Sequence, residues 1–233
     1  MKFMGSKNRI SKYILPIILK DRKPDQWYIE PFVGGLNSIS KTTGNRMGSD
    51  NNKYLIAFLK ELQNGYIPLN KINNEIYLHI KNNKNLYGNA TVGCIGFLFS
   101  YAAKFFGGYI GNSNDIVCKG RDRVGESYRA IEKARKEVIG IKLINCSYDE
   151  LEIPKNSIIY ADPPYFGATK YKDDFNHQKF WEWCREISNK HQLFISEYNA
   201  PDDFKCIWQK EINSSLDKNT GSKKGIEKLF IKK

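Results

Sequence analysis

The chain has 233 residues, 41% of them hydrophobic and 13% aromatic, and a formal net charge of +12 at pH 7. That apolar content excludes a disordered polypeptide and suffices for one sizeable core with a smaller inserted lobe. The 37 Lys and Arg against 25 Asp and Glu suit a polyanionic partner, because basic side chains displace counterions from phosphates; a Lys- and Asn-rich composition inherited from AT-rich coding DNA is the bland alternative.

In chain order, Ile10 to Leu19 reads as an apolar helix closed before Lys23-Pro24. Residues 27–30, WYIE, read as a strand running into Pro31-Phe32-Val33-Gly34-Gly35. A helix is expected to start near Asn37-Ser38, where polar side chains can cap exposed N–H groups. Arg46 to Ser49 predicts a second short strand ending at Asp50, and Tyr54 to Leu62 a helix ended by Gly65. Residues 66–140 break the alternation. They hold apolar helical stretches, then FFGGYIGNSND (105–115) and the charged KGRDRVGE (119–126), and are too apolar and aromatic to stay disordered, which predicts an inserted lobe. Strands follow at 141–146, 157–161 and 192–196, with a helix around Lys179–Ile187 between the last two, then strands near 204–209 and 226–231. Such alternation implies a mostly parallel sheet flanked by helices.

Cys94, Cys118, Cys146, Cys184 and Cys206 are odd in number and contain no C-x-x-C pair, and His79, His177 and His191 lack metal-ligand spacing. The expectation is a reduced protein without a metal. The opening MKFMGSKNRI holds no signal-peptide core, and no run approaches the roughly 18 apolar residues of a membrane span. A soluble cytoplasmic protein with no membrane partner is expected.

Two stretches carry chemistry. In WYIEPFVGGLNS (27–38) a strand, a glycine turn and a helix start would aim backbone N–H groups at a ligand, or simply make a tight turn. About 20 residues on, Asp50 is placed to accept hydrogen bonds from ribose hydroxyls, or is a solvated loop acid. The second stretch, SIIYADPPYFGATKY (157–171), runs from an apolar strand into Asp162, Pro163, Pro164 and Tyr165. A strand ending in a carboxylate and two ring-locked residues is not a hairpin signal.

EPFVGG (30–35), Asp50 and DPPY (162–165), in that order, resemble the adenine-specific DNA methyltransferases of the Dam type, and the resemblance covers nearly the whole chain. MGSK (4–7), Ser147-Tyr148, LFISEYN (193–199) and NTGSKKGIEKLFIKK (219–233) resemble further segments of that family. The resemblance implies an α/β, Rossmann-like S-adenosylmethionine-dependent methyltransferase sheet with a mainly helical insert. Residues 1–65 and 141–233 would form the catalytic domain and 66–140 the target-recognition lobe. It implies methyl transfer from S-adenosylmethionine to the N6 amino group of adenine in double-stranded DNA, without a metal, in a bacterial cell or phage-infected host. A cognate restriction endonuclease is a compatible partner.

Carried over residue by residue, Lys7 would pair with the methionine carboxylate of the cofactor, and Phe3 stands where the family often has Trp or Tyr. Gly34 and the backbone around it would face the methionine moiety, with Glu30 and Phe32 also beside the cofactor; Asp50 would hold the ribose hydroxyls, and Ser147 and Tyr148 would line the adenine pocket. Asp162, also beside the cofactor, and the Pro163 carbonyl would accept the two hydrogens of the target amino group, freeing its lone pair for in-line attack on a sulfonium methyl. Pro163 and Pro164 keep those acceptors aimed, and Tyr165 offers a face to a flipped base. Read from the residues themselves, Lys104, Arg121 and Arg123 lie beside FFGGY and a glycine-flanked loop and form either a basic surface that meets DNA phosphates or base edges, or a solvated charged loop.

The sequence departs from the family in two places. Leu36 takes the place of a second glycine after EPF, and Phe106 and Ile110 fall where polar base-reading side chains can sit. The nearest rival reading is another amino methyltransferase, acting on cytosine N4, RNA or a protein glutamine, where Ser or Asn commonly replaces the acid of DPPY. A non-catalytic DNA-binding relative is a rival of another class. An oxidoreductase is more distant, since G-x-G-x-x-G is absent.

Overall fold

The structure, a computed structural model, describes residues 1, 3, 5–112, 120–166, 175–214 and 223–233. Its elements are α1 (Ser11–Ile18), β1 (Tyr28–Glu30), β2 (Arg46–Asp50), α2 (Lys53–Gln63), α3 (Asn74–Asn82), α4 (Asn89–Leu98) and α5 (Arg123–Glu137). Then follow β3 (Lys142–Asn145), β4 (Ile158–Ala161), α6 (His177–Ser188), β5 (Gln192–Glu197), β6 (Phe204–Ser214) and β7 (Lys223–Lys232).

The strands form a seven-stranded sheet in the order β3-β2-β1-β4-β5-β7-β6. β3, β2, β1, β4 and β5 run parallel, while β7 is antiparallel to both β5 and β6. This is an α/β, Rossmann-like sheet. The strand order reverses between β1 and β4, and in open parallel sheets the crevice outside the carboxyl ends at such a reversal is where ligands bind.

The central strands read as continuous apolar runs because helices cover both faces; Ile158, Ile159, Tyr160 and Ala161 are all buried. Alternation along the strands divides the interior into two cores. Tyr28, Ile158, Tyr160 and Leu229 point into one, with α1, α2, α4 and α5. Ile29, Ile159, Ala161 and Phe230 point into the other, with Phe180 and Cys184 of α6. In α2, Asn52 caps the first turn by accepting from the amides of Tyr54 and Leu55, and Leu55, Ile56, Phe58, Leu59 and Leu62 form the buried stripe.

Residues 66–140 contribute α3, α4 and α5. Helix α4 packs so closely on α2 that a Cβ on Gly93 would lie 2.0 Å from the Tyr54 carbonyl oxygen. Its Val92, Cys94, Ile95 and Phe97 share one core with Ile14, Leu55 and Phe58.

The helix expected near Asn37-Ser38 is not formed: only a 3-10 turn, Ile39–Lys41, occupies that crossover. Ser38 makes no capping bond, Leu36 just before it is left-handed, and Thr42 returns to extended backbone, so three residues are all that can coil. The last two strands run longer than expected, with a bulge between Cys206 and Trp208. Among the described residues Cys94, Cys146, Cys184 and Cys206 are free thiols, no helix is long and apolar enough to cross a membrane, and no cluster of three or more metal-ligating side chains occurs. Cys118 lies outside them.

Candidate active site

The turn after β1 is built on close approach. Val33 N donates to Ser49 O of β2 at 2.9 Å. The Asp50 carboxylate at the end of β2 accepts from Gly34 N at 3.3 Å and from Asn52 N at 2.9 Å. Burial pushes the Asp50 carboxyl up to about 6, against the pull of those two amides. The Phe3 ring lies over the turn: a Cβ would come within 2.9 Å of it at Gly34 and 2.5 Å of its side chain at Gly35. Gly34 is also left-handed, at φ 44°. Leu36, in the place of the family's glycine, holds φ 63° with its side chain fully buried. A left-handed residue with a Cβ costs about 1–2 kcal/mol, and burying a leucine side chain contributes roughly 1.5–3 kcal/mol, so burial offsets the strain.

At the carboxyl end of β4, Asp162 meets residues from both ends of the chain. Lys7, in the 3-10 turn Lys7–Arg9 capped by Ser6, is buried. Its Nζ lies 3.3 Å from Asp162 Oδ1 and donates to Glu227 Oε2 at 2.9 Å and to the Tyr165 hydroxyl at 2.5 Å. Tyr165 in turn donates to Glu227 Oε2 at 2.8 Å, and its ring meets Tyr198 edge-on at 4.6 Å. Burial alone would lower the Lys7 pKa, but the charges of Asp162 and Glu227 leave it raised. Asp162 is pushed up to about 6 by burial, with Lys7 pulling it down and Glu227 pushing it up.

Two more buried acids face this group. Glu30, ending β1, accepts from the Tyr28 hydroxyl at 2.7 Å; burial, with the Asp162 charge adding, lifts it to about 8. Glu197, ending β5, accepts from Tyr198 N at 2.7 Å and Phe166 N at 3.1 Å, and burial lifts it to about 7. Beside it lies a cleft of about 220 Å³ lined, among the described residues, by Phe166, His177, Trp181, Glu197, Tyr198 and Pro201.

Phe32 stacks on Tyr148 with ring centroids 5.3 Å apart, and Phe175 and Phe180 meet Phe32 edge-on. Ser147 turns away from this group: its hydroxyl bonds to the Asp149 carboxylate and its amide donates to Glu150. The structure therefore brings Phe3, Gly34 and Asp50 together in one group at the carboxyl ends of β1 and β2. Lys7, Asp162 and Tyr165 meet in a second group, with Glu30 facing Asp162. Lys7, expected to pair with a cofactor carboxylate, lies between two protein carboxylates, Asp162 and Glu227. Sequence reasoning passed over Glu227 and Glu197. The signal for Glu227 is an acid in phase with buried Leu229 on a strand; for Glu197 it is an acid closing an apolar one.

In the 66–140 segment, Arg121 engages Glu126 in a fork, Nε to Oε1 at 2.5 Å and a terminal nitrogen to Oε2 at 3.0 Å. The Arg123 guanidinium lies 5.9 Å from the ring centroid of half-exposed Tyr101. Lys104 is exposed. Phe106 and Ile110 are buried, and Phe106 packs on Tyr77 at 5.4 Å, so neither faces a partner. Residues 113–119 of the expected reading loop, and 219–222 of the C-terminal match, lie outside the described residues.

No model of a known protein family matches the sequence, and no curated protein matches it. Two structures of the rRNA methyltransferase aviRa from Streptomyces viridochromogenes align over 97% of this chain and 84% of theirs, at 10% and 9% identity and TM-scores of 0.45 and 0.44. SMU.472, a protein assigned as a methyltransferase and solved in complex with SAH, aligns over 97% of this chain and 53% of its own, at 12% identity and a TM-score of 0.38. At such scores the likeness carries no argument, and the fold rests on the order and register of the sheet itself.

Proposed function

We propose that this chain is an S-adenosylmethionine-dependent methyltransferase acting on the N6 amino group of adenine in duplex DNA. The observation that carries the reading is the position of Asp162-Pro163-Pro164-Tyr165. The run leaves the central strand β4 at the strand-order reversal, one strand from the glycine turn and two from Asp50. Family-like motifs scattered over the sequence follow the carboxyl ends of adjacent strands, which supports the reading.

The residues present fit the cofactor. Asp50 supplies an acid for ribose hydroxyls, Phe32 and Tyr148 an aromatic surface for adenine, and the Gly34 turn a backbone free of side chains. S-adenosylmethionine supplies an electrophilic methyl group when bound. The rest falls to the chain's own groups. Asp162 accepts a hydrogen of the target amino group and stabilises the positive charge that develops on that nitrogen, a contact that strengthens toward the transition state. The Pro163 carbonyl accepts the other hydrogen. Lys7 is the counter-ion of Asp162. Phe166 and Tyr198, flanking the cleft beside Glu197, offer faces to a base taken out of the stack. Residues 66–140 position and read the DNA, with Lys104, Arg121 and Arg123 as the basic contacts. A cytoplasmic enzyme of a bacterial or phage-infected cell, with or without a cognate restriction endonuclease, follows from this reading.

The test is expression in a host free of adenine methylation, sequencing that maps modified bases, and in vitro transfer of labelled methyl to duplex DNA and to RNA. N6-methyladenine at a recurrent DNA motif is the expected result. Labelled cytosine, labelled RNA alone, or no label in a folded, cofactor-binding protein would overturn it.

A further inference from the structure

Lys7 is one ammonium shared by two carboxylates, and the sharing is unequal. Glu227 Oε2 is 2.9 Å away and Asp162 Oδ1 3.3 Å. The Tyr165 hydroxyl closes a triangle on the Glu227 side, accepting from Lys7 and donating to the same Oε2. Glu227 cannot follow the lysine, because β7 is laddered on both sides, with Lys228 paired to Glu197 of β5 and Glu227 to Lys210 of β6. Lys7 sits on a flexible arm from a three-residue turn. In a water-poor site, an ammonium with no other carboxylate would close onto Asp162, since charge-assisted bonds shorten and strengthen there. It would then cover the group that must receive the substrate.

We propose that Glu227 is a positioning residue that draws the Lys7 ammonium off Asp162 and so leaves the Asp162 carboxylate open to the amino group of the substrate base. The inference rests on the methyl-transfer reading for its purpose, but not for its test. Among the described residues, the groups facing Asp162 are Lys7 from the N-terminal turn, Glu30 from β1, Tyr160 from β4, Tyr165, Glu197 and Tyr198 from the end of β5, and Glu227 from β7. Only Lys7 among them is a cation. Removing Glu227 and removing Lys7 must therefore act on Asp162 with opposite signs.

The experiment follows the Asp162 carboxyl by carbon-13 NMR through a pH titration of the full chain, with the resonance assigned by Asp162→Asn. Glu227→Gln, which keeps the shape and loses the charge, lowers the Asp162 midpoint by about one pH unit, and Lys7→Met raises it by about as much. Should Glu227→Gln not fold, Glu227→Asp withdraws the charge by one methylene and moves the midpoint down by less. An unchanged or raised midpoint on loss of Glu227 overturns the inference, because Lys7 then either ignores Glu227 or is lost with it. In active enzyme the acid limb of kcat moves in the same two directions. If the wild-type protein transfers no methyl group, the proposed function falls, while the titration still judges Glu227.

Discussion

Asp50 closes the turn after β1 by accepting the amide of Gly34, 3.3 Å away and 16 residues back in the chain. One carboxylate thus braces the turn and ends the strand beside it, so the acid proposed for the cofactor ribose also has a structural task. Asp50→Ala leaves the Gly34 and Asn52 amides without their acceptor, which costs about 1.5–3 kcal/mol of stability for bonds to a charged group. Calorimetry with S-adenosylmethionine on the folded variant should show weaker binding than wild type. Equal affinity would remove Asp50 from the cofactor site.

The acids at the carboxyl ends of the strands make stability depend on pH in an uncommon direction. Burial raises Glu30 to about 8, Glu197 to about 7, and Asp50 and Asp162 to about 6. A raised carboxyl binds its proton more tightly in the folded state, so its contribution is complete below the unfolded value and is lost as pH rises through the folded one. Glu30 covers the widest window, from its ordinary 4.5 to about 8. The melting temperature should fall between about pH 5 and 8.5. Glu30→Gln, which retains an acceptor for Tyr28, should flatten that slope by at most about 1.4 kcal/mol per pH unit. A melting temperature that climbs over the same range, or a slope that Glu30→Gln leaves alone, contradicts this account.

Leu36 tests whether burial or backbone strain governs the turn. Leu36→Gly relieves a left-handed residue worth about 1–2 kcal/mol but empties a core site, and leucine truncations in cores cost about 2–5 kcal/mol. Net destabilisation is expected, read as a lower melting temperature. A more stable variant would show that strain dominates.

How much of this was legible in the sequence follows the range of the forces involved. β4 was readable because a buried parallel strand needs an unbroken apolar run, and α2 because its stripe repeats at helical spacing. The helix expected at Asn37-Ser38 failed because a left-handed Leu36, which no local pattern announces, consumed the residues it needed. Glu227 was passed over because its partner Lys7 lies 220 positions away, and pairing at that range leaves only a faint mark, an acid at an inward strand position. Phe106 and Ile110 depart from the family's polar base-reading loop because both are buried, as their apolar character indicates.

Asp162→Ala should reduce methyl transfer on the order of 100-fold or more at saturating cofactor, as expected for loss of one preorganised electrostatic contact in the transition state. Asp162→Asn keeps the shape and one acceptor oxygen, so it should retain more activity than Ala. Rapid-quench measurement of one turnover separates this from product release. Near wild-type turnover in the alanine variant would exclude the proposed role.

The basic residues of the 66–140 segment should divide their labour according to what already holds them. Arg121 gives its planar fork to Glu126, so using that fork on a guanine edge means breaking a bidentate pair first. Arg123 rests over the Tyr101 ring in a cation–π contact, on the same segment as Lys104 and Arg121. Arginine's planar fork suits a guanine edge, and Arg123→Ala should relax specificity at one position by about 1–3 kcal/mol, seen as a degenerate base in a methylome map. Tyr101→Ala should produce a weaker form of the same change by releasing the arginine. Lys104→Ala should leave the motif intact, weaken binding to all sequences, and reduce the salt slope by about one. If Arg123→Ala keeps both the wild-type motif and the wild-type salt slope, base reading lies elsewhere in the segment.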